Sequence, residues 1–216
     1  MASLFGMRVT AVSADPRRTG ARDVWARALL GPALLGVALG AVNSLSNVFG
    51  SAYSPHSLSS DGIPPLEVLG ALLGTQWAWP VAAFGIGWWT RRSLLGSLAG
   101  VVGLVAADVT YYWSDAVSGF SGGLDVFAMR YYAVLAVPAG RVMGLLGALA
   151  RHEHGWSLVP GLAAPAFVIW FGTQTGPLVV LPWPERITGA FVVVLTVLLL
   201  GRWLRLPWVR RSAQSR

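Results

Sequence analysis

Long apolar stretches alternate with short polar or proline-rich stretches along almost the whole chain. A helix of about 20 apolar residues crosses the hydrocarbon core of a bilayer, and most of these stretches approach or exceed that length. The pattern predicts six spanning helices, at residues 28–49, 66–89, 94–113, 126–150, 157–172 and 187–204. The expected fold class is therefore all-α, a polytopic membrane helix bundle with six transmembrane helices.

Charges, prolines and glycines predict the borders of these helices. Pro80 is expected to kink the second helix. Residues 114–125 read as a flexible acidic loop, and prolines make 176–183 an expected interfacial connector rather than a helix. The resulting domain organisation is a cytoplasmic basic N-terminal segment before an uncleaved signal anchor, a transmembrane domain and a cytoplasmic basic tail, at 1–24, 25–206 and 207–216.

Arginine placement predicts the orientation of the chain. Five arginines precede the first span, five more follow from Arg202 onward, and Arg91, Arg92 and Arg151 lie in alternate loops. The intervening stretches 50–65 and 114–125 contain none. By the positive-inside rule both termini are expected in the cytoplasm of a multi-pass plasma-membrane protein. Anionic lipid headgroups at the cytoplasmic face are the expected partners of these arginines.

Composition supports lipid as the surrounding solvent. The chain has 216 residues, of which 55% are hydrophobic and 12% charged, whereas soluble domains carry about 25% charged residues. The net charge of +7 comes from arginines at segment ends, so no nucleic-acid partner is expected. The absence of cysteine excludes disulfides, thiolate metal sites and a cysteine nucleophile, and no cofactor is expected.

Small and polar residues share one face of the first predicted helix. Gly36, Gly40, Asn43 and Asn47 follow one another at spacings of four, three and four residues. Small residues let another backbone approach closely, which predicts a helix–helix seam with asparagine hydrogen bonds. The alternative is that the asparagines line a solute site.

Three charges interrupt the third and fourth predicted helices. Asp108 lies in one, and Arg130 and Arg141 lie on nearly the same face of the other. A charge at bilayer depth costs roughly 2.5–3.5 kcal/mol, so it usually faces a partner or a cavity. Asp108 and Arg130 are expected at matching depth near the outer surface, which makes a salt bridge reasonable.

Two interpretations of this polar centre stay open. In the first, Asp108 and Arg130 form a structural pair, and Arg141 is capped by carbonyls or reaches toward the inner surface. In the second, the charges line an outward-facing cavity for a polar or anionic solute. The full candidate set for the polar cluster or solute site is Asn43, Asn47, Gln76, Asp108, Tyr111, Arg130 and Arg141.

Other chemistry is sparse. His152, Glu153 and His154 lack the HExxH spacing of a zinc site and read as a solvated loop. No serine stands in a nucleophile elbow. Neither a metal site nor an enzyme is therefore expected.

The segments GVALGAVNSLSN, Arg91-Arg92, ADVTYYWSD and GRVMGLLGALARHEHG occur in a familiar order. In this the chain resembles a family of small bacterial six-span integral membrane proteins without an assigned activity, which implies the architecture only. In size and topology it is also distantly similar to the substrate-binding subunits of energy-coupling-factor vitamin transporters. No vitamin-specific motif accompanies that similarity.

The leading functional hypothesis is a small-solute transporter or a membrane solute-binding subunit. Asp108, Arg130 and Arg141 would set its charge selectivity. The alternative is a non-enzymatic structural or assembly protein, whose glycine seams pack the helices of a membrane-protein partner.

Overall fold

The computed structural model describes residues 16–51, 54, 63–75, 77–175 and 182–205, with side chains from residue 29 onward except at 172–175 and 182–186. All regular secondary structure in these ranges is helical. The helices are α1 (Pro16–Gly50), α2 (Pro64–Leu73), α3 (Ala78–Thr90), α4 (Ser93–Val117), α5 (Val126–Ala150), a 3-10 turn (Gly155–Ser157), α6 (Leu158–Gly161), α7 (Ala163–Thr175) and α8 (Pro182–Leu204).

Four helices in the described part of the chain are long and apolar enough to span a membrane. They are Leu29–Gly50, Ser93–Val117, Val126–Ala150 and Ile187–Leu204. Large aliphatic side chains project outward from them, among them Leu34 of α1, Val134 of α5 and Val197 of α8. Apolar surface all round a helix is typical of contact with lipid, so the all-α membrane class is supported.

The second predicted span is not one helix. α2 and α3 are separated by residues 74–77, and neither is long enough to cross a bilayer alone. The break precedes Pro80, where a kink was expected. Pro80 is the third residue of α3, and the first turn of a helix tolerates proline because its N–H groups lack intrahelical acceptors. The fifth predicted span is likewise a series of short elements, running from the 3-10 turn through α6 and α7.

α4 continues beyond its predicted end at residue 113. It includes Ser114 to Val117 as a further turn, so Asp115 is helical and buried rather than part of an acidic loop. Its side chain is kept inside because it accepts a hydrogen bond from a buried residue of α1. α5 has the predicted bounds, and its Asp125 side chain caps the first turn by accepting from the Ala128 N–H at 2.9 Å.

Glycine seams join the central helices at short range, as predicted for α1. A Cβ at Gly40 of α1 would come within 3.0 Å of the Ala107 carbonyl oxygen of α4. Gly100 of α4 and Gly140 of α5 face each other with equally little space, and a Cβ at Gly87 of α3 would meet the backbone of α5 at Gly144. Close backbone approach of this kind replaces the hydrophobic driving force that helices lack in lipid.

Arginines stabilise the end of the bundle where α5 terminates. Arg202 of α8 donates hydrogen bonds to the carbonyl oxygens of Ala150 at 2.9 Å and Arg151 at 2.5 Å. Its guanidinium carbon lies 4.6 Å from the ring centroid of Trp88. Arg151 in turn donates to the Trp88 carbonyl oxygen at 3.3 Å. The last carbonyls of a helix have no intrahelical donor, and a cation there also favours the helix dipole.

Several predictions fall partly or wholly outside the described residues. These are the segment 1–15, most of the arginine-free stretch 50–65, Gln76, residues 176–181 of the expected connector and the tail 207–216. Residues 16–24, expected in the polar N-terminal segment, belong to α1, which begins at Pro16. Proline suits that first helical position because its missing N–H has no intrahelical acceptor to lose. Pro182 and Trp183 of the expected connector belong to the first turn of α8.

Candidate functional site

Five helices and the end of α2 line a half-open cavity of about 470 Å³. Asn43 of α1 and Asp108 of α4 are its non-aromatic polar side chains. Its other described walls are mostly aromatic, with eight rings contributed by α3, α4, α5 and α7: Trp79, Tyr111, Tyr112, Tyr131, Tyr132, Phe167, Trp170 and Phe171. This volume lies in the range of sites for small molecules, which are mostly apolar with a few placed polar groups.

Two acceptor atoms at this cavity lack hydrogen-bond partners. Asp108 is 8% exposed and Asn43 is 2% exposed. Asp108 Oδ2 and Asn43 Oδ1 are both buried and accept no hydrogen bond from any described residue. Buried polar groups in folded proteins are almost always paired, so two unpaired acceptors in one cavity need an explanation.

The periodicity of α4 places Asp108 here. Leu104, Asp108, Tyr111 and Tyr112 follow at helical spacing and all line the cavity. The glycines of α4 lie nearer its N-terminal end, where Gly96 and Gly100 admit the backbone of α5. Asp108 and Tyr111, two members of the candidate set, therefore line the same cavity.

The aromatic side chains of α3, α4 and α5 contact one another in a continuous row. Trp79 meets Tyr111 edge-on with ring centroids 6.5 Å apart, and Tyr111 meets Tyr112 edge-on at 5.2 Å. Tyr112 stacks on Tyr132 at 6.4 Å, and Tyr132 meets Tyr131 edge-on at 5.2 Å. Aromatic pairs in such geometries stabilise one another, so this wall is held by its own contacts.

A cluster of polar side chains outside the cavity wall contacts Tyr111. The Ser44 hydroxyl donates to Asp115 Oδ1 at 2.5 Å, and the Tyr111 hydroxyl interacts with the side chains of Asp115 and Asn47. Ser44 is fully buried and Asp115 is 5% exposed. Sequence reasoning missed Ser44 and Asp115 because it ended the helix at residue 113. The available signal was the spacing 108, 111, 115, which continues one helical face.

The small and polar face of α1 takes part both in helix packing and in the cavity wall. Gly36 and Gly40 form a seam with α4, as the helix-packing alternative predicted. Asn43 lines the cavity, whereas Asn47 interacts with Tyr111 and is outside the cavity wall.

Arg130 and Arg141 lie elsewhere. Both are exposed on α5, and neither is among the residues that line the cavity. No ion pair joins Asp108 to Arg130 within the described residues, and Asp108 Oδ2 stays unpaired. Gly96 and Gly100 of α4 lie against Gly144 and Gly140 of the antiparallel helix α5, a register that places Asp108 within about one turn of the level of Arg130. The pair is absent because Asp108 is buried, whereas Arg130 is exposed on α5.

The tryptophans of the second predicted span have different roles. Trp77 stacks on Phe191 of α8 with ring centroids 5.9 Å apart, so it packs between helices. Trp79 lines the cavity. Gln76, the candidate site residue of this stretch, lies outside the described residues.

Among the described residues, no group of three or more histidine, aspartate or glutamate side chains is arranged to hold a metal ion. Comparison with known proteins gives no match to a family model, a curated protein or a solved structure. The resemblances drawn from the sequence therefore stay expectations, and the functional argument rests on the residues of the cavity.

Proposed function

We propose that this chain is a multi-pass protein of the bacterial plasma membrane that binds a small polar solute in the cavity, as a transporter or as a membrane solute-binding subunit. One observation carries the proposal: Asp108 and Asn43 line the same cavity, and each has a buried acceptor atom, Oδ2 and Oδ1, without a hydrogen-bond partner. An unpaired buried acceptor costs about 1–3 kcal/mol, and a bound solute would supply the missing donors. Ionisable groups inside membrane spans are functional candidates for this reason.

The broken second crossing supports a solute site. Gly74 at the end of α2 and Trp79 and Pro80 at the start of α3 all line the cavity. Many secondary transporters bind their substrates where a membrane helix is interrupted, because the free helix ends can meet polar groups there. In the proposed topology α2 and α3 together form the second of six crossings, and α6 and α7 belong to the fifth.

The arginine distribution supports cytoplasmic termini in this topology. The arginine-stabilised end of α5 then faces the cytoplasm, and Asp108 lies on the outer side of its span. We assign the charge selectivity of the cavity to Asp108, since Arg130 and Arg141 are not in its wall.

A structural or assembly role is the second candidate, and the position of Arg141 favours it. Arg141 is exposed nine residues before the end of the 25-residue helix α5. A charge facing outward within a span needs a partner, which a carboxylate on a neighbouring membrane protein would supply. In that case a co-purifying protein, rather than a small molecule, would depend on Arg141.

Native mass spectrometry of the protein extracted mildly from its own membrane tests the proposal. We expect a reproducible small-molecule adduct on the wild-type chain. Ala139 lines the cavity, so Ala139→Phe should fill it and remove the adduct. Val134→Phe is the matched control, because Val134 points outward from the same helix.

The adduct should persist in the control variant. A folded Ala139→Phe protein that keeps the adduct would contradict the cavity as its site. A wild-type protein that carries lipid alone would contradict solute binding.

A further inference from the structure

We propose that the solute is an organic ammonium ion: a compact, partly apolar molecule with one protonated primary or secondary amine. This inference rests on the proposed function and names the chemical class of the solute. Its N–H groups would donate to Asp108 Oδ2 and Asn43 Oδ1, while the aromatic wall would surround its charge and its carbon skeleton.

The unpaired atoms determine the hydrogen-bonding character of the solute. Both are acceptors, so the solute must present donors. A protonated amine presents two or three N–H donors from one atom, which suits two acceptors on adjacent helices. An anion or a carbonyl compound would add a further acceptor beside Asp108, and that arrangement is unfavourable.

The charges of the cavity determine the sign of the solute. Asp108 is the one charged side chain among the described residues that line it. Arg130 and Arg141 are exposed outside that wall. An ionised carboxylate surrounded by apolar rings is strongly destabilised unless an opposite charge is bound nearby. One carboxylate balances one positive charge, so a monocation fits better than a dication.

The aromatic wall also favours a cation. The faces of tyrosine and tryptophan rings attract ammonium groups, and the attraction grows when the ligand is removed from water. The row from Trp79 through Tyr111 and Tyr112 to Tyr132 lines the same cavity as Asp108, so one ligand could meet both the rings and the carboxylate. The cluster of Ser44, Asp115 and Asn47 holds Tyr111 in this row.

The same observations disfavour two other solutes that bind aromatic sites. A quaternary ammonium has no N–H and would leave both acceptors unpaired. A sugar carries many hydroxyls, whereas the polar side-chain groups of the described cavity wall are those of Asn43 and Asp108, the tyrosine hydroxyls and the indole N–H groups of two tryptophans. Most of the sugar hydroxyls would then lose their hydrogen bonds on entry.

Four probes that share a 2-phenylethyl group test the inference at pH 7: 2-phenylethylamine, its N,N,N-trimethyl derivative, 2-phenylethanol and 3-phenylpropionate. Binding is measured by intrinsic tryptophan fluorescence and by the shift in melting temperature. The full-length protein is held in nanodiscs of zwitterionic lipid, which do not attract the cations by charge. We expect 2-phenylethylamine to bind at least about tenfold more tightly than the other three.

Asp108→Asn should remove this preference, and Asp125→Asn is its matched control. Asp125 is an exposed carboxylate that caps α5, and asparagine caps a helix equally well. Equal or tighter binding of any other probe, or no binding of the amine, would overturn the ammonium assignment. A natural adduct that is lost in Ala139→Phe would then still support solute binding. If the amine is not preferred and no adduct depends on Ala139, the proposed function is contradicted as well.

Discussion

Polar groups are hydrogen-bonded at the end of α5 near Ala150 but are unpaired around Asp108 of α4. At the end of α5, Arg202 donates hydrogen bonds to the carbonyl oxygens of Ala150 and Arg151. Its guanidinium also lies over the Trp88 ring. Near Asp108, in contrast, two acceptors are buried without donors inside an aromatic cavity. The first arrangement is complete within the described chain, and in our proposal a bound solute completes the second.

This difference separates architecture from function. Hydrogen bonds to charged groups stabilise a fold, whereas an unpaired buried acceptor lowers its stability. Removing a side chain at the Arg202 end should therefore destabilise the protein without affecting the solute. Removing Asp108 should abolish solute binding without destabilising the protein.

Arg202→Leu should have the largest effect on stability. It removes two charge-assisted hydrogen bonds to the end of α5 and the contact with Trp88. We expect a loss of about 3 kcal/mol in the free energy of unfolding, seen as a lower melting temperature, with solute affinity unchanged. Arg205→Leu is the control, because Arg205 is exposed at the same helix end. Equal melting temperatures for the two variants would show that the Arg202 contacts do not stabilise the bundle.

Ser44→Ala should have an intermediate effect. It removes the donor to Asp115 at a fully buried position between α1 and α4. We expect a loss of about 1–2 kcal/mol in stability, and weaker solute binding because Tyr111 loses part of its support. Ser121→Ala, at an exposed serine, should change neither thermal stability nor affinity. A wild-type affinity in Ser44→Ala would show that Tyr111 is positioned without this cluster.

Asp108→Leu should change stability in the opposite direction. Replacing an unpaired buried acceptor by an apolar side chain of similar size is expected to raise the stability of the solute-free protein by about 1 kcal/mol. Solute binding should be lost. Thermal denaturation of the solute-free variants measures this effect directly. A marked fall in melting temperature would instead support the structural pair of Asp108 with a cation that the sequence suggested.

Arg141→Gln should have the smallest effect on the solute. Arg141 is exposed and outside the cavity wall, so we expect the affinity of the wild-type adduct to change by less than about twofold. Loss of a co-purifying protein in this variant would identify the outward face of α5 as a partner surface. A large loss of solute affinity would show that Arg141 contributes to solute binding after all.

Hydropathy predicted the long helices well because a helix that crosses lipid must be apolar over about 20 residues. The bounds of α5 and the glycine seam of α1 followed directly from the sequence. The last turn of α4 did not, because Ser114 and Asp115 look like loop residues until Ser44 of another helix is known to face them. Neither did the break between α2 and α3, since the proline rule points to Pro80 itself.

The candidate site was predicted in part for a related reason. The candidate set contained Asp108 and Tyr111, and helical spacing put Asn43 on one face of α1 with the seam glycines; all three line the cavity. It could not show that Arg130 and Arg141 stand outside the cavity, because their surroundings depend on where α7 packs against α5. Contacts between helices distant in sequence leave no local pattern in either one.

A crystal structure of the protein purified from its own membrane, grown from a lipidic phase without added ligand, tests the central claim most directly. We expect non-protein density in the cavity, with a donor atom within hydrogen-bonding distance of both Asp108 Oδ2 and Asn43 Oδ1. A cavity filled by a lipid chain, or an Asp108 carboxylate paired with Arg130, would contradict the assignment of Asp108 as the charged ligand of a bound solute.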